Sequence, residues 1–211
     1  MTNHFPPDEF DAWAVRYDES VYSNGKCFPF DGYSQLLQTI AKIADSQPGA
    51  SVLDLGIGTG NLSQLFAERG CEIWGVDFSS EMLRFARTKL PVATLAQSDI
   101  RTELQPAFQR SFDYIVSAYT FHHFPLEEKA ELIQHLLKRH LLPGGKVIIG
   151  DVAFKNAVEE DVFRRRLGSK WEQEYYWLVD ETLTVFAAVD IPARFIKISR
   201  CAGIFCFCHQ E

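Results

Sequence analysis

The chain of 211 residues is 46% hydrophobic and 23% charged, the balance of one globular domain with its own core. Lys plus Arg number 21 against 28 for Asp plus Glu, and a net charge of −7 offers no basic footprint for a phosphate backbone, so nucleic acid is not the expected substrate. No apolar run approaches the roughly 20 residues that span a bilayer, and the polar start MTNHFPPDEF lacks the basic and apolar regions of a secretory signal. A cytoplasmic location without a membrane partner is the expectation.

Residues 10–20 and 33–46 both show helical spacing, the second through Leu36, Leu37, Ile40 and Ile43, and form a helical cap over residues 1–48. From 50 to 151 short apolar runs alternate with helical patterns, the signature of βα units building a parallel sheet. The runs are SVLDL (51–55), EIWGVD (72–77), VATLAQ (92–97), FDYIVSA (112–118) and KVIIGDV (146–152). Between them, residues 61–69 carry Leu62, Leu65 and Phe66 and stop at Gly70, while 79–90 carry Met82, Leu83 and Ala86 and stop before Pro91. A third helix over 125–140 opens with proline in its first turn and ends at Leu-Pro-Gly-Gly. Residues 155–190 read as a helical insertion on the substrate side, with an aromatic stretch at Trp171, Tyr175, Tyr176 and Trp177. Within it, Glu160 with Arg164 and Asp161 with Arg165 make i,i+4 pairs on a solvated face. Residues 193–209 read as a terminal β-hairpin. The predicted fold is a single α/β domain, Rossmann-like and doubly wound. Its seven-stranded sheet is mostly parallel, with a C-terminal antiparallel hairpin strand and N-terminal covering helices.

Five cysteines, Cys27, Cys71, Cys201, Cys206 and Cys208, are an odd count without a CxxC pair, which predicts reduced thiols and no metal site. The most informative segment runs Asp54-Leu-Gly56-Ile-Gly58-Thr-Gly60 from a strand into a helix. Its three glycines let the backbone turn sharply and approach a nucleotide-like ligand without Cβ atoms in the way. The dinucleotide fingerprint G-x-G-x-x-G wants a further glycine where Asn61 stands, so an NAD(P)-dependent oxidoreductase is the weaker reading.

This acidic residue followed by G-x-G-x-G resembles the first motif of the class I S-adenosylmethionine-dependent methyltransferases. The resemblance continues through GVDFSSEML (75–83), QSDI (97–100), FDYIVSAYTFHHF (112–124) and LLPGGKVIIGD (141–151), and covers nearly the whole chain. The opening FDAWAVRYD (10–18), the pair His122-His123 and the closing hairpin look like the small bacterial uncharacterised methyltransferases of the YrrT type. The resemblance implies S-adenosylmethionine as cofactor and S-adenosylhomocysteine as product. It implies that Asp77 accepts from both ribose hydroxyls, the alternative being a cap for the following helix. Phe78 and Ile100 would bracket the adenine, Asp99 would accept from its amine, and Gly56, Gly58 and Gly60 would face the methionine part. Ala118 would lie near its amino group and Tyr17 near its carboxylate end, with Trp13 packing the covering helix. Asp54 acts either through a water or by holding the loop.

Displacement at a sulfonium needs positioning above all, which supplies roughly 7–11 kcal/mol, and a general base adds about 10²–10⁴-fold. His123 is the candidate base, and Tyr119, His122, Tyr175 and Tyr176 are candidate walls of the acceptor pocket. After the fourth strand stands Ser117-Ala-Tyr-Thr120 in place of Asn/Asp-Pro-Pro-Tyr or Pro-Cys, which disfavours DNA methylation and points to a small-molecule acceptor. A non-catalytic module that binds the cofactor or its product is the alternative, and monomer and homodimer both stay open.

Overall fold

A computed structural model describes residue 11 and residues 14–23, 25, 27–102 and 104–209, so the expectation for Trp13 lies outside the described residues. Among the described residues the first elements with both bounds given are the helices α1 (Tyr17–Ser23) and α2 (Tyr33–Ala44). The alternating core follows as β1 (Ser51–Leu55), α3 (Asn61–Ala67), β2 (Glu72–Asp77), α4 (Ser80–Lys89), β3 (Thr94–Gln97), β4 (Phe112–Ala118), α5 (Leu126–His140) and β5 (Leu141–Phe154). Then come α6 (Ala157–Leu167), the two-residue β6 (Trp177–Leu178), α7 (Val179–Ala188), β7 (Ala193–Lys197) and β8 (Ala202–Phe207). The main sheet has the order β3-β2-β1-β4-β5-β8-β7, with β6 alongside β5. Pairing is parallel from β3 to β5, while β8 runs antiparallel to β5 and β7, as the terminal hairpin requires.

Alternation along the strands sorts side chains onto two apolar layers. Val52, Val116, Ile148 and Ile204 face α2 and α3, against Leu36, Ile40 and Phe66. Leu53, Ile115, Ile149 and Phe205 face the other way, against Ile133 and Leu137 of α5 and Phe186 of α7. Helix α4 begins where Ser79 accepts a hydrogen bond from Met82 N at 3.1 Å, a side-chain cap that fixes its start. No helix among the described residues is long and apolar enough to cross a membrane, and no metal-holding cluster occurs among them.

The 155–190 segment is helical only in part. Helix α6 ends at Gly168, which takes φ +55°, and after a short 3-10 turn the chain passes through Glu172, Gln173, Glu174 and Tyr175 without helix or strand into β6. Cross-sheet pairing to β5 overrides the helical spacing of the aromatics there. On α6, Asp161 pairs with both Arg164 and Arg165 on the solvent side.

Candidate active site

Strand order reverses between β1 and β4, and at such a switch point a crevice opens outside the carboxyl ends of the strands. The glycine turn sits there, tied to β2 by Gly56 N and Ile57 N, which donate to Val76 O at 2.8 and 3.0 Å. Gly56, Gly58 and Gly60 all lie in the left-handed region, at φ +72°, +55° and +88°. Their surroundings differ. A Cβ on Gly56 would fall 2.2 Å from Thr120 Oγ1 and one on Gly60 would fall 3.0 Å from Leu90 Cδ1, but one on Gly58 would meet nothing within 4 Å. Gly56 and Gly60 are therefore packing glycines, and Gly58 borders open space.

Gly58 N donates to Asp77 Oδ2 at 2.8 Å, and Ser79 N donates to Asp77 Oδ1 at 2.9 Å. Asp77 is 6% exposed, and burial, only partly offset by the Ser79, Gly58 and Phe78 N–H groups, pushes its pKa up to about 6. Because Ser79 is itself the cap of α4, Asp77 is not spent as one. Asp54 accepts from Ser63 Oγ at 2.7 Å, and burial pushes its pKa up to about 7. That bond ties β1 to the first turn of α3.

Of the adenine candidates, Asp99 is clasped by Arg101, whose Nε reaches its two oxygens at 3.0 and 3.1 Å. Burial alone would raise the Asp99 pKa, but the guanidinium holds it below the usual carboxylate range. Ile100 is buried and lines a groove of about 800 Å³ with Leu55, Leu104 and residues of α5. That groove does not include the glycine turn. Phe78 is half-buried, and its carbonyl accepts from Gln97 Nε2 at 2.9 Å.

The N-terminal segment closes over the turn through contacts that local pattern does not show. Asp18 accepts from Thr59 Oγ1 at 2.6 Å, Asn61 Nδ2 at 2.9 Å and Lys89 Nζ at 2.6 Å. Asp11 accepts from Ser79 Oγ at 2.5 Å and Glu81 N at 3.2 Å, over the start of α4. Tyr17 is hydrogen-bonded to Tyr33, and burial raises its pKa, with Tyr33, Tyr119 and Asp77 adding to the effect. It thus sits between the glycine-turn side and the β4 side of the crevice.

At the end of β4, Ala118 pairs with Gly150 of β5. Tyr119 follows at φ +54°, a strained conformation for a non-glycine residue, with its ring 5.3 Å from Phe30 and 5.6 Å from Tyr33. Its buried hydroxyl has no hydrogen-bond partner among the described residues. His122 is gripped twice by Asp151 of β5: His122 N donates to Oδ2 at 2.9 Å, and Nδ1 lies 2.6 Å from Oδ1. Burial would raise the Asp151 pKa, but His122, Lys129 and the Val152 N–H outweigh it and hold the pKa below the usual range. The His123 ring lies 4.1 Å from that of His122, with Nδ1 3.6 Å from Glu174 Oε2. Burial and His122 both lower its pKa.

Lys129, 1% exposed, donates to the Tyr175 carbonyl and sits 4.4 Å from the Trp177 ring centroid, and burial pushes its pKa down to about 8. Tyr175 N donates to His122 O at 2.9 Å while its side chain remains 54% exposed. Tyr176 is buried among Phe28, Phe154 and Trp171, its hydroxyl donates to Glu172 O at 2.8 Å, and its ring lies 6.2 Å from that of His122. His122, His123 and Tyr176 thus gather at one place, while the Tyr119 ring packs on Phe30 and Tyr33 instead. Asp151, Lys129 and Glu174 join them, residues to which sequence reasoning assigned no role. Asp151 had a usable signal, a lone carboxylate inside the apolar run KVIIGDV.

Comparison with known proteins agrees with this geometry. A family model described as a methyltransferase domain matches residues 52–145. An uncharacterised methyltransferase of Geobacillus kaustophilus is 35% identical, over 90% of this chain and 90% of that one. The uncharacterised methyltransferase YrrT of Bacillus subtilis is 32% identical, over 89% of this chain and 90% of that one. Among solved structures, magnesium protoporphyrin IX methyltransferase from Synechocystis with bound S-adenosylhomocysteine superposes with a TM-score of 0.75 at 20% identity, covering 97% and 98% of the two chains. The S-adenosylhomocysteine complex of DhpI superposes at 0.72 and 16% identity, covering 95% and 93%. Matched to such relatives along nearly its whole length, the chain belongs to the YrrT-type family of methyltransferases.

Proposed function

We propose that this protein transfers the methyl group of S-adenosylmethionine to a small-molecule acceptor bound between the end of β4, the N-terminal segment and the residues around 171–177. The carrying observation is the glycine turn. Gly58 borders open space where a side chain would otherwise stand, and its N–H shares the buried Asp77 carboxylate at the end of β2. This is the arrangement that lets a backbone approach a nucleoside while a carboxylate accepts from its ribose hydroxyls. The bound sulfonium supplies an activated methyl and a good leaving group.

The chain's own residues do the rest. Asp77 fixes the ribose, the 56–60 backbone lies along the methionine part, and Asp18 and Asp11 close the covering segment against α3 and α4. The net charge of −7 and the ion-paired arginines of α6 support a small acceptor over nucleic acid. Titration calorimetry with S-adenosylhomocysteine, S-adenosylmethionine and NAD is the test. Micromolar binding of the first with negligible binding of NAD is expected, and the reverse order would refute the reading.

A further inference from the structure

The proton of the acceptor has to go somewhere, and the groups around β5 indicate where. Asp151 is fully buried, and four nitrogens lie within hydrogen-bond distance of its oxygens. Val152 N at 2.7 Å and His122 Nδ1 at 2.6 Å meet Oδ1, while His122 N at 2.9 Å and Trp177 Nε1 at 3.3 Å meet Oδ2. Three of these are obligate donors, and an ionised carboxylate, with the buried ammonium of Lys129 as its nearby counter-charge, can only accept. The fourth contact must then also be a donor, so Nδ1 of His122 carries its hydrogen. In the neutral ring the lone pair is on Nε2.

This ring is 15% exposed at its side chain and lies two residues beyond Thr120, which covers Gly56 at the mouth of the crevice. Nδ1 of His123 lies 3.6 Å from Glu174 Oε2, against 2.6 Å from His122 Nδ1 to Asp151 Oδ1.

Resting on the methyltransferase reading above, we propose that His122, aligned by Asp151, is the catalytic base, and that the acceptor is a small aromatic or enolic molecule presenting a hydroxyl. The hydroxyl oxygen attacks the methyl carbon as its O–H bond breaks. The proton passes to His122 Nε2, the new O–C bond forms, and the electrons of the breaking C–S bond stay on sulfur as a neutral thioether. The imidazolium then releases its proton to solvent. A base of this kind distinguishes a hydroxyl from the other nucleophiles. Carboxylates and thiols ionise without help, and a neutral amine attacks through its lone pair before losing a proton. The exposed ring of Tyr175, whose N–H donates to His122 O, offers a flat acceptor an aromatic face.

Three measurements on the full chain test this. Calorimetry with S-adenosylhomocysteine comes first, because failure there removes the methyltransferase reading itself. Nitrogen-15 NMR of the imidazoles should find His122 in the Nδ1–H tautomer in the wild type and a mixture in Asp151→Asn; an Nε2–H ring in the wild type overturns the proposal without any turnover assay. With phenol, catechol and 4-hydroxybenzoate as hydroxyl probes against benzenethiol and aniline, methyl transfer should favour a hydroxyl. His122→Ala should lower kcat about 10²–10⁴-fold, leave S-adenosylhomocysteine affinity within threefold, and recover partly with added imidazole. Transfer only to the thiol or amine, no transfer to any hydroxyl from protein that binds the cofactor product, or an unchanged kcat in His122→Ala each overturns it.

Discussion

The buried carboxylate of Asp77 makes affinity for S-adenosylhomocysteine a function of pH. Ribose hydroxyls donate to the ionised form, whose two oxygens already receive Gly58 N and Ser79 N. With the pKa raised to about 6, the carboxylate is charged at pH 8 and mostly protonated at pH 5. If only the charged form accepts both hydroxyls, each pH unit below that pKa weakens binding by roughly tenfold, or about 1.4 kcal/mol. Binding at pH 5 should therefore be about tenfold weaker than at pH 8.

Stability runs with the opposite sign. A carboxyl whose folded pKa lies above its unfolded value of 3.8 takes up protons on folding between 3.8 and about 6, so its contribution is fully present below that window and is lost as pH rises through it. Asp77→Asn should weaken binding at pH 8 by about 1.5–3 kcal/mol, the worth of bonds to a charged acceptor, and flatten the profile from pH 5 to 8. Asp54, raised to about 7, and Asp11 also face this carboxyl, so Asp54→Asn in parallel isolates the slope that belongs to Asp77. The assay is calorimetry at fixed ionic strength. An affinity constant within twofold across the range, or a wild-type slope retained in Asp77→Asn, would refute the reasoning.

The two glycines nearest β1 should fail differently. Gly58→Val, which carries only the strain of φ +55°, should keep the fold but remove the thermal shift on adding S-adenosylhomocysteine, whereas Gly56→Ala should lower the ligand-free Tm further because its Cβ adds a 2.2 Å clash with Thr120 to strain of the same kind; identical ligand-free Tm and identical ligand shift in the two would contradict the geometry. Asp18→Ala removes three hydrogen bonds from a side chain 41% exposed, so a loss of about 1–2 kcal/mol is expected after discounting for solvent. Hydrogen exchange should then quicken over residues 17–23 and stay unchanged over 51–55, and equal protection would mean that apolar packing alone holds the helix. The Asp18 pKa is lowered, so this clamp is present above the ordinary carboxylate value of 3.8 and is lost as pH falls below it. Tyr176→Ala should cost about 3–5 kcal/mol as a buried aromatic, while Tyr175→Ala should stay within about 0.5 kcal/mol, alter acceptor turnover and leave cofactor affinity within about threefold. Similar melting temperatures for the two variants would count against the burial assigned to them.

What could be seen in the sequence was whatever a local backbone demand forces into residue type. Three left-handed φ values at a fixed spacing require glycines, so the 56–60 turn was legible without a fold. Helix limits were legible within two or three residues because Ser79 caps α4 and Gly70 and Pro91 forbid continuation. The aromatic stretch misled for the converse reason. Trp171, Tyr175 and Tyr176 have helical spacing, but the Tyr175 backbone groups are satisfied by His122 O and Lys129 Nζ, partners on other elements, so the segment needs no helix of its own. The covering clamp was invisible because its partners lie 41 and 71 residues away from Asp18, with nothing periodic to link them.

The choice between the two histidines shows the same limit at the site itself. Adjacent in sequence and equal in type, His122 and His123 differ only in what the fold sets against them: a buried carboxylate 29 residues on for one, a looser glutamate for the other. Local pattern placed both at the end of β4, but the tautomer, and with it which nitrogen is free to take a proton, is decided by β5. A chemical role here depends on the neighbour that completes the hydrogen bond. The sequence signal for that neighbour is an acidic residue set inside a buried apolar strand, as Asp151 is within KVIIGDV.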